Sequence, residues 1–168
     1  MLKIQNVGAF PGGDAFLLDD GSGARLLDTC GEALAVHVRR ALAERPLDAI
    51  LLTHSHYDHA CGAPHVQALY PDAPVLAHEY AAQVFQKPGA KRVMREMDQS
   101  AAALFGVTAY TDRIDALHAD RILRDGDTVT VGAHVFTVLH QPGHTRCSIA
   151  FWCESERLLI ASETLGVP

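Results

Sequence analysis

Six consecutive residues, His54-Ser55-His56-Tyr57-Asp58-His59, bring three imidazoles and a carboxylate into one short stretch. Side chains two apart in extended backbone point the same way, so His54 and His56 can grip one ion. Asp58 and His59 follow where the chain turns towards the next helix, and they can grip a second. Imidazole with carboxylate suits zinc first, with iron and manganese also compatible. Downstream, Gln141-Pro142-Gly143-His144-Thr145 presents another histidine on a turn, and Glu163 follows the apolar stretch 157–161. Asp58-His59 beside Ser55 suggests a nucleophilic triad, but a triad leaves His54, His56 and His144 without a use. A metal centre uses them all.

Around these residues the pattern predicts strands at 2–7, 14–18 and 25–28, with a hairpin turn at 20–23. A helix at 32–45 carries Leu34, Val38, Ala41 and Leu42 on one face, and Pro46 ends it. The apolar run 48–53, immediately before the histidines, has the character of a strand buried on both faces. A helix at 63–70, a strand at 74–77 and a helix at 79–86 make that part of the sheet parallel. A longer helix at 90–106 has Val93, Met97, Ala101 and Leu104 as its apolar stripe. Strands return at 128–131, 134–140, 148–152 and 157–161. Each polar cluster therefore follows an apolar strand, as active sites of layered α/β folds do.

The 168 residues suit one domain, and 48% hydrophobic with 20% charged residues is ordinary for a folded core. A net charge of −6 with scattered basic residues argues against a nucleic-acid partner. No apolar run approaches the roughly 18 residues of a membrane helix. The N-terminus lacks a signal-peptide pattern, so a cytoplasmic location is expected. Cys30, Cys61, Cys147 and Cys153 form no pair pattern and are expected to be free thiols. His37, His65, His78, His118, His134 and His140 have no ligand spacing and are assigned to surface or core.

His54 to His59 resembles the H-x-H-x-D-H signature of the metallo-β-lactamase superfamily. Leu27-Asp28-Thr29 resembles its early turn, and Asp125-Gly126-Asp127 with Pro142-Gly143-His144-Thr145 resembles its next block in order and spacing. The resemblance implies a four-layer α/β/β/α sandwich with two divalent ions at one edge between the sheets. His54, His56 and His144 would hold the first ion, Asp58 and His59 the second, and Glu163 would bridge them. Asp28 would orient a metal-bound histidine. Two such ions share a hydroxide, which Asp58 would orient as the catalytic carboxylate.

Two departures stand out. The bridging position holds Glu163 where the family usually has aspartate, and no histidine follows Glu163 to complete the second site. The C-terminal half of the fold is thus expected to be incomplete, the sandwich being finished by further chain or in a homo-oligomer. The expected function is hydrolysis of a small ester-like, thioester or lactone substrate. Phosphodiester hydrolysis, a di-iron redox role and a non-catalytic module are the alternatives.

Overall fold

The computed structural model describes residues 1–8, 13–31, 34–43, 45–104, 106–107 and 109–165. Two sheets stack with helices on one side. The first has the order β1-β2-β3-β4-β5-β6: β1 Lys3–Asn6, β2 Phe16–Asp19, β3 Ala24–Leu27, β4 Ala49–Leu51, β5 Val75–His78 and β6 Arg121–Leu123. β1 to β3 pair antiparallel, and β3 to β6 run parallel. The second sheet is antiparallel, in the order β10-β9-β8-β7, from β7 Thr128–Val131, β8 His134–His140, β9 Ile149–Cys153 and β10 Leu158–Ile160. The helices are α1 Leu34–Leu42, α2 Tyr57–Ala60, α3 Ala63–Leu69, α4 Glu79–Phe85 and α5 Pro88–Leu104.

The central strands are largely apolar, β4 throughout, because both faces of their sheet are covered. Successive residues alternate between faces. Leu17, Leu26, Ile50 and Val75 join the core beneath the helices, while their neighbours Leu18, Leu27, Leu51 and Leu76 join the core between the sheets. The helical core takes Val38, Leu42, Val66, Phe85 and Met94, whereas the inter-sheet core contains no helical residue among those described. The described residues therefore supply three of the four expected layers. Val135 and Leu159 remain exposed on the second sheet.

The predicted elements occur in the predicted order with ends shifted by a few residues, and the short elements α2 and β6 are added to them. Glu32, Ala33, Glu44 and Phe105, within the predicted helices, lie outside the described residues. α1 ends at Leu42, where Ala43 takes a left-handed conformation, before Pro46 is reached. The expectation for α5 needs correction. Val93 and Met97 are 48% and 46% exposed and Leu104 is 80% exposed, while Met94, Asp98 and Ala102 are buried. The reason is a polar anchor: Tyr110 Oη donates to the buried Asp98 carboxylate at 2.7 Å. Arg95 adds ion pairs to Asp112 and Asp115, and Lys91 Nζ donates to the Asp115 carbonyl at 2.7 Å. These contacts turn the helix so that its apolar stripe faces outwards.

Candidate metal centre

Past β4 the chain runs straight off the end of a parallel strand. Leu52 N donates to Leu76 O at 2.9 Å, and Ile149 N donates to Thr53 O at 2.9 Å, so both sheets hold this exit. His54 is buried there. His56 is still extended (φ −69°, ψ 154°) and serves as the N-cap of α2, whose single turn carries Asp58 and His59. α2 is pressed against the loop after β3: Thr29 N and Thr29 Oγ1 each donate to His59 O at 2.8 Å. Gly62 N donates to Cys30 O at 2.8 Å. A side chain at Gly62 would collide with the carbonyl oxygens of Thr29 and Gly31, which is why glycine stands here.

His144 sits on a loop closed by Gln141 N donating to Ser148 O at 2.9 Å and braced by Thr145 Oγ1 and Ser148 Oγ, 2.8 Å apart. Cys147 Sγ lies 3.4 Å from Ser55 Oγ and ties this loop to the first. Glu163 follows β10 in a short 3₁₀ turn, Ser162–Leu165. Ser162 adopts a left-handed φ of 50°. That conformation is costly for a residue with a side chain. It aims Glu163 back at the histidines.

The structure brings His54, His56, His144 and Glu163 together, with one donor atom from each lying within 4.8 Å of the others. His144 Nε2 stands 2.6 Å from Glu163 Oε2 and 3.0 Å from His56 Nδ1. His54 Nε2 is 3.5 Å from Glu163 Oε2. Asp58 and His59 are adjacent rather than inside this group. The His59 and His54 ring centres are 4.0 Å apart, and Asp58 Oδ2 is 3.8 Å from His59 Nε2.

These residues fit a metal. His54 Nε2 is a buried nitrogen with no hydrogen-bond partner, an arrangement that otherwise costs free energy. Its Nδ1 is 3.1 Å from Thr53 Oγ1, which donates to Asp28 Oδ2 at 2.7 Å. With Nδ1 carrying the hydrogen, Nε2 offers its lone pair to the group. Burial, reinforced by the charges of His59, His56 and His144, pushes the His54 pKa down to about 2, so it is neutral and ligand-ready. Burial and His144 lower His56 as well. At His59 burial works the same way, but the Asp28 carboxylate, 2.9 Å from Nδ1, outweighs it and raises the pKa to about 9.

Asp28 is buried and accepts from Thr53 N (2.8 Å), Thr53 Oγ1 (2.7 Å) and His59 Nδ1. It joins the loop after β3 to Thr53, directly before His54, and to His59 of α2. Sequence reasoning missed Thr53 in this network. The available signal was a polar residue closing an apolar strand directly before the first histidine. It also missed the cleft over the donors, about 770 Å³, which Tyr57, Asp58 and Glu163 line together with Val84, Val93 and Met97. Cys61 is buried in the helical core, as expected of a small apolar residue. His78 and His140, assigned to surface or core, stack with ring centres 4.1 Å apart, and His140 Nε2 lies 3.0 Å from the Arg146 carbonyl.

A histidine-carboxylate centre at the edge of a two-sheet sandwich defines a class of metalloprotein, and comparison with known proteins places the chain within it. The family model of the metallo-beta-lactamase superfamily matches residues 9–168, and the chain belongs to that superfamily. It is 34% identical over 131 residues to the hydroxyacylglutathione hydrolase of Methylobacterium nodulans, covering 76% of this chain and 38% of the relative. It is 29% identical over 126 residues to the human acyl-coenzyme A thioesterase MBLAC2, covering 73% of this chain and 43% of the relative. The chain thus spans less than half the length of either relative. Among solved structures, the BLEG-1 B3 metallo-beta-lactamase superposes with a TM-score of 0.67 at 25% identity, covering 95% of this chain and 70% of that one. No helix among the described residues is long and apolar enough to cross a membrane.

Proposed function

We propose that the chain is the metal-holding part of a hydrolase acting on small thioesters. The observation that carries this reading is the convergence of His54, His56, His144 and Glu163 beneath a cleft with apolar walls. The named relatives support the substrate class, since hydroxyacylglutathione and acyl-coenzyme A are both thioesters. His54, His56 and His144 would hold one ion, Asp58 and His59 a second, and Glu163 would reach both. Zinc suits three imidazoles with carboxylates. The ions supply Lewis acidity and bring the pKa of water to about 7.

The chain's own residues do the rest. Asp28 and Thr53 hold the Nδ1 sides of His59 and His54, so that Nε2 of each would be the atom offered to an ion, His59 giving up its Nε2 proton on binding. The Asp58 carboxylate lies 3.8 Å from His59 Nε2. There it is placed to accept a proton from the attacking water. Among the described residues, no lysine or arginine lines the cleft. A thiol, with a pKa of about 8.5, leaves as its anion without a strong acid. A phosphodiester carries its charge into the cleft, where Asp58 and Glu163 disfavour it.

The test is a panel of a glutathione thioester, a lactone and bis(4-nitrophenyl) phosphate, assayed with zinc-loaded protein. Thioester cleavage should give the highest kcat/KM, and His54→Ala should abolish it. Dominant phosphodiester cleavage would overturn the reading.

A further inference from the structure

We infer that the face of α5 made by Val93 and Met97, with Val84 of α4, is the binding wall for an unbranched apolar acyl tail, and that it sets chain-length preference. The inference deepens the thioester reading and rests on it. Two apolar side chains stand nearly half exposed at one cleft, and the lining of that cleft also includes His56, His144 and Glu163. They do not face outwards for want of a partner helix. The Asp98–Tyr110 hydrogen bond and the Arg95 and Lys91 anchors hold α5 in this rotation.

An occupant must satisfy both kinds of lining residue at once. Its head must suit imidazoles and a carboxylate, and its body must suit valine and methionine with no cationic neighbour among the described lining residues. A carbonyl attached to a hydrocarbon tail does so, because the tail gains from covering Val93 and Met97 what a charged group would not. The track is open. Gly89 and Ala90 begin it, and an added Cβ at Gly89 would meet nothing within 4 Å. Along the helix axis, residues 89 to 97 span about 12 Å. Methionine suits a tail of variable length, because its unbranched side chain repacks readily.

The experiment has two readouts on zinc-loaded protein. The first is kcat/KM for acetyl, butyryl, hexanoyl and octanoyl thioesters of one thiol. The second is calorimetric binding of the corresponding free carboxylates, which needs no turnover. Each buried methylene should strengthen binding about fourfold, so both series should rise with length. Val93→Thr with Met97→Gln, nearly unchanged in volume, should reduce the slope to about twofold or less. Ala90→Phe should block the longer chains while sparing acetate. Leu104→Gln, on the same stripe but away from the cleft, should leave the slope unaltered. A flat carboxylate series, or a slope that the double variant does not lower, overturns the inference. A rising carboxylate series without thioester cleavage keeps the apolar wall and removes the thioester reading.

Discussion

Replacing Asp28 with asparagine removes one charge and almost no volume, and it should uncouple the metal centre from its support. The buried carboxylate accepts from Thr53 N through Oδ1, and from both Thr53 Oγ1 and His59 Nδ1 through Oδ2. Asparagine can keep the first bond, but its amide hydrogens then face the other two donors. Each hydrogen bond to a charged group is worth about 1.5–3 kcal/mol. The Thr53 hydroxyl can rotate and His59 can exchange tautomers, so the expected net loss is about 2–4 kcal/mol rather than the sum. The tautomer exchange has a second effect. With Nδ1 accepting, the hydrogen moves to His59 Nε2 and occupies the lone pair a metal would use. Loss of such an orienting partner typically weakens metal binding about 10- to 100-fold. Urea unfolding of the metal-free protein measures the first effect, and zinc competition against a chromophoric chelator measures the second. Asp28→Asn protein that binds zinc with wild-type stoichiometry and affinity would refute the argument.

Three further outcomes follow from the geometry. Glu163→Gln should cost roughly tenfold in zinc affinity, mainly at the second ion, because an amide is a poorer, neutral donor; metal analysis at limiting zinc reads it. The metal-free protein should be most stable near pH 6.5, the ordinary histidine value. His59, raised to about 9, stabilises below 6.5 and loses that contribution as pH rises through 9. His54, lowered to about 2, contributes above 6.5 and loses that contribution as pH falls below it. Urea midpoints against pH test this, with His59→Ala removing the alkaline limb and His54→Ala the acid one. Gly62→Ala should force α2 away from the Thr29 carbonyl and cost about 1–3 kcal/mol, a melting point lower by several degrees.

The candidate ligands stood out in the sequence because four of them lie within six residues and another sits on a proline-glycine turn; of these, the structure gathers His54, His56 and His144 with Glu163. Local spacing carries that information without any knowledge of pairing. The buried character of β4 was legible for a similar reason: residues 49–52 are all apolar, as a doubly covered strand requires. Thr53 was not legible in this way. Its value comes from Asp28, 25 residues earlier, and nothing in local spacing reports a contact created when β3 and β4 pair. The expected second group of ligands, Asp58 and His59, lies beside the four-donor cluster, a placement the turn of α2 decides and the sequence spacing leaves open.

The rotation of α5 shows most clearly where sequence reasoning stops. A period of 3.6 finds the stripe Val93, Met97, Ala101 and Leu104, and that stripe exists. Periodicity identifies a face, however, and not what the face meets. On energy alone, burying the exposed half of Val93 and of Met97 would gain about 0.7–1.5 kcal/mol each. The helix instead buries Asp98, whose desolvation is offset only because Tyr110 supplies a hydrogen bond and Arg95 fixes the neighbouring turn to Asp112 and Asp115. Both sets of partners lie on the loop after the helix, outside any helical window. Val93 and Met97 are thereby left half exposed at the lining of the metal-site cleft, where an occupant of the cleft can bury them. The stripe that periodicity finds is thus, at Val93 and Met97, the surface on which the inference about the acyl tail rests.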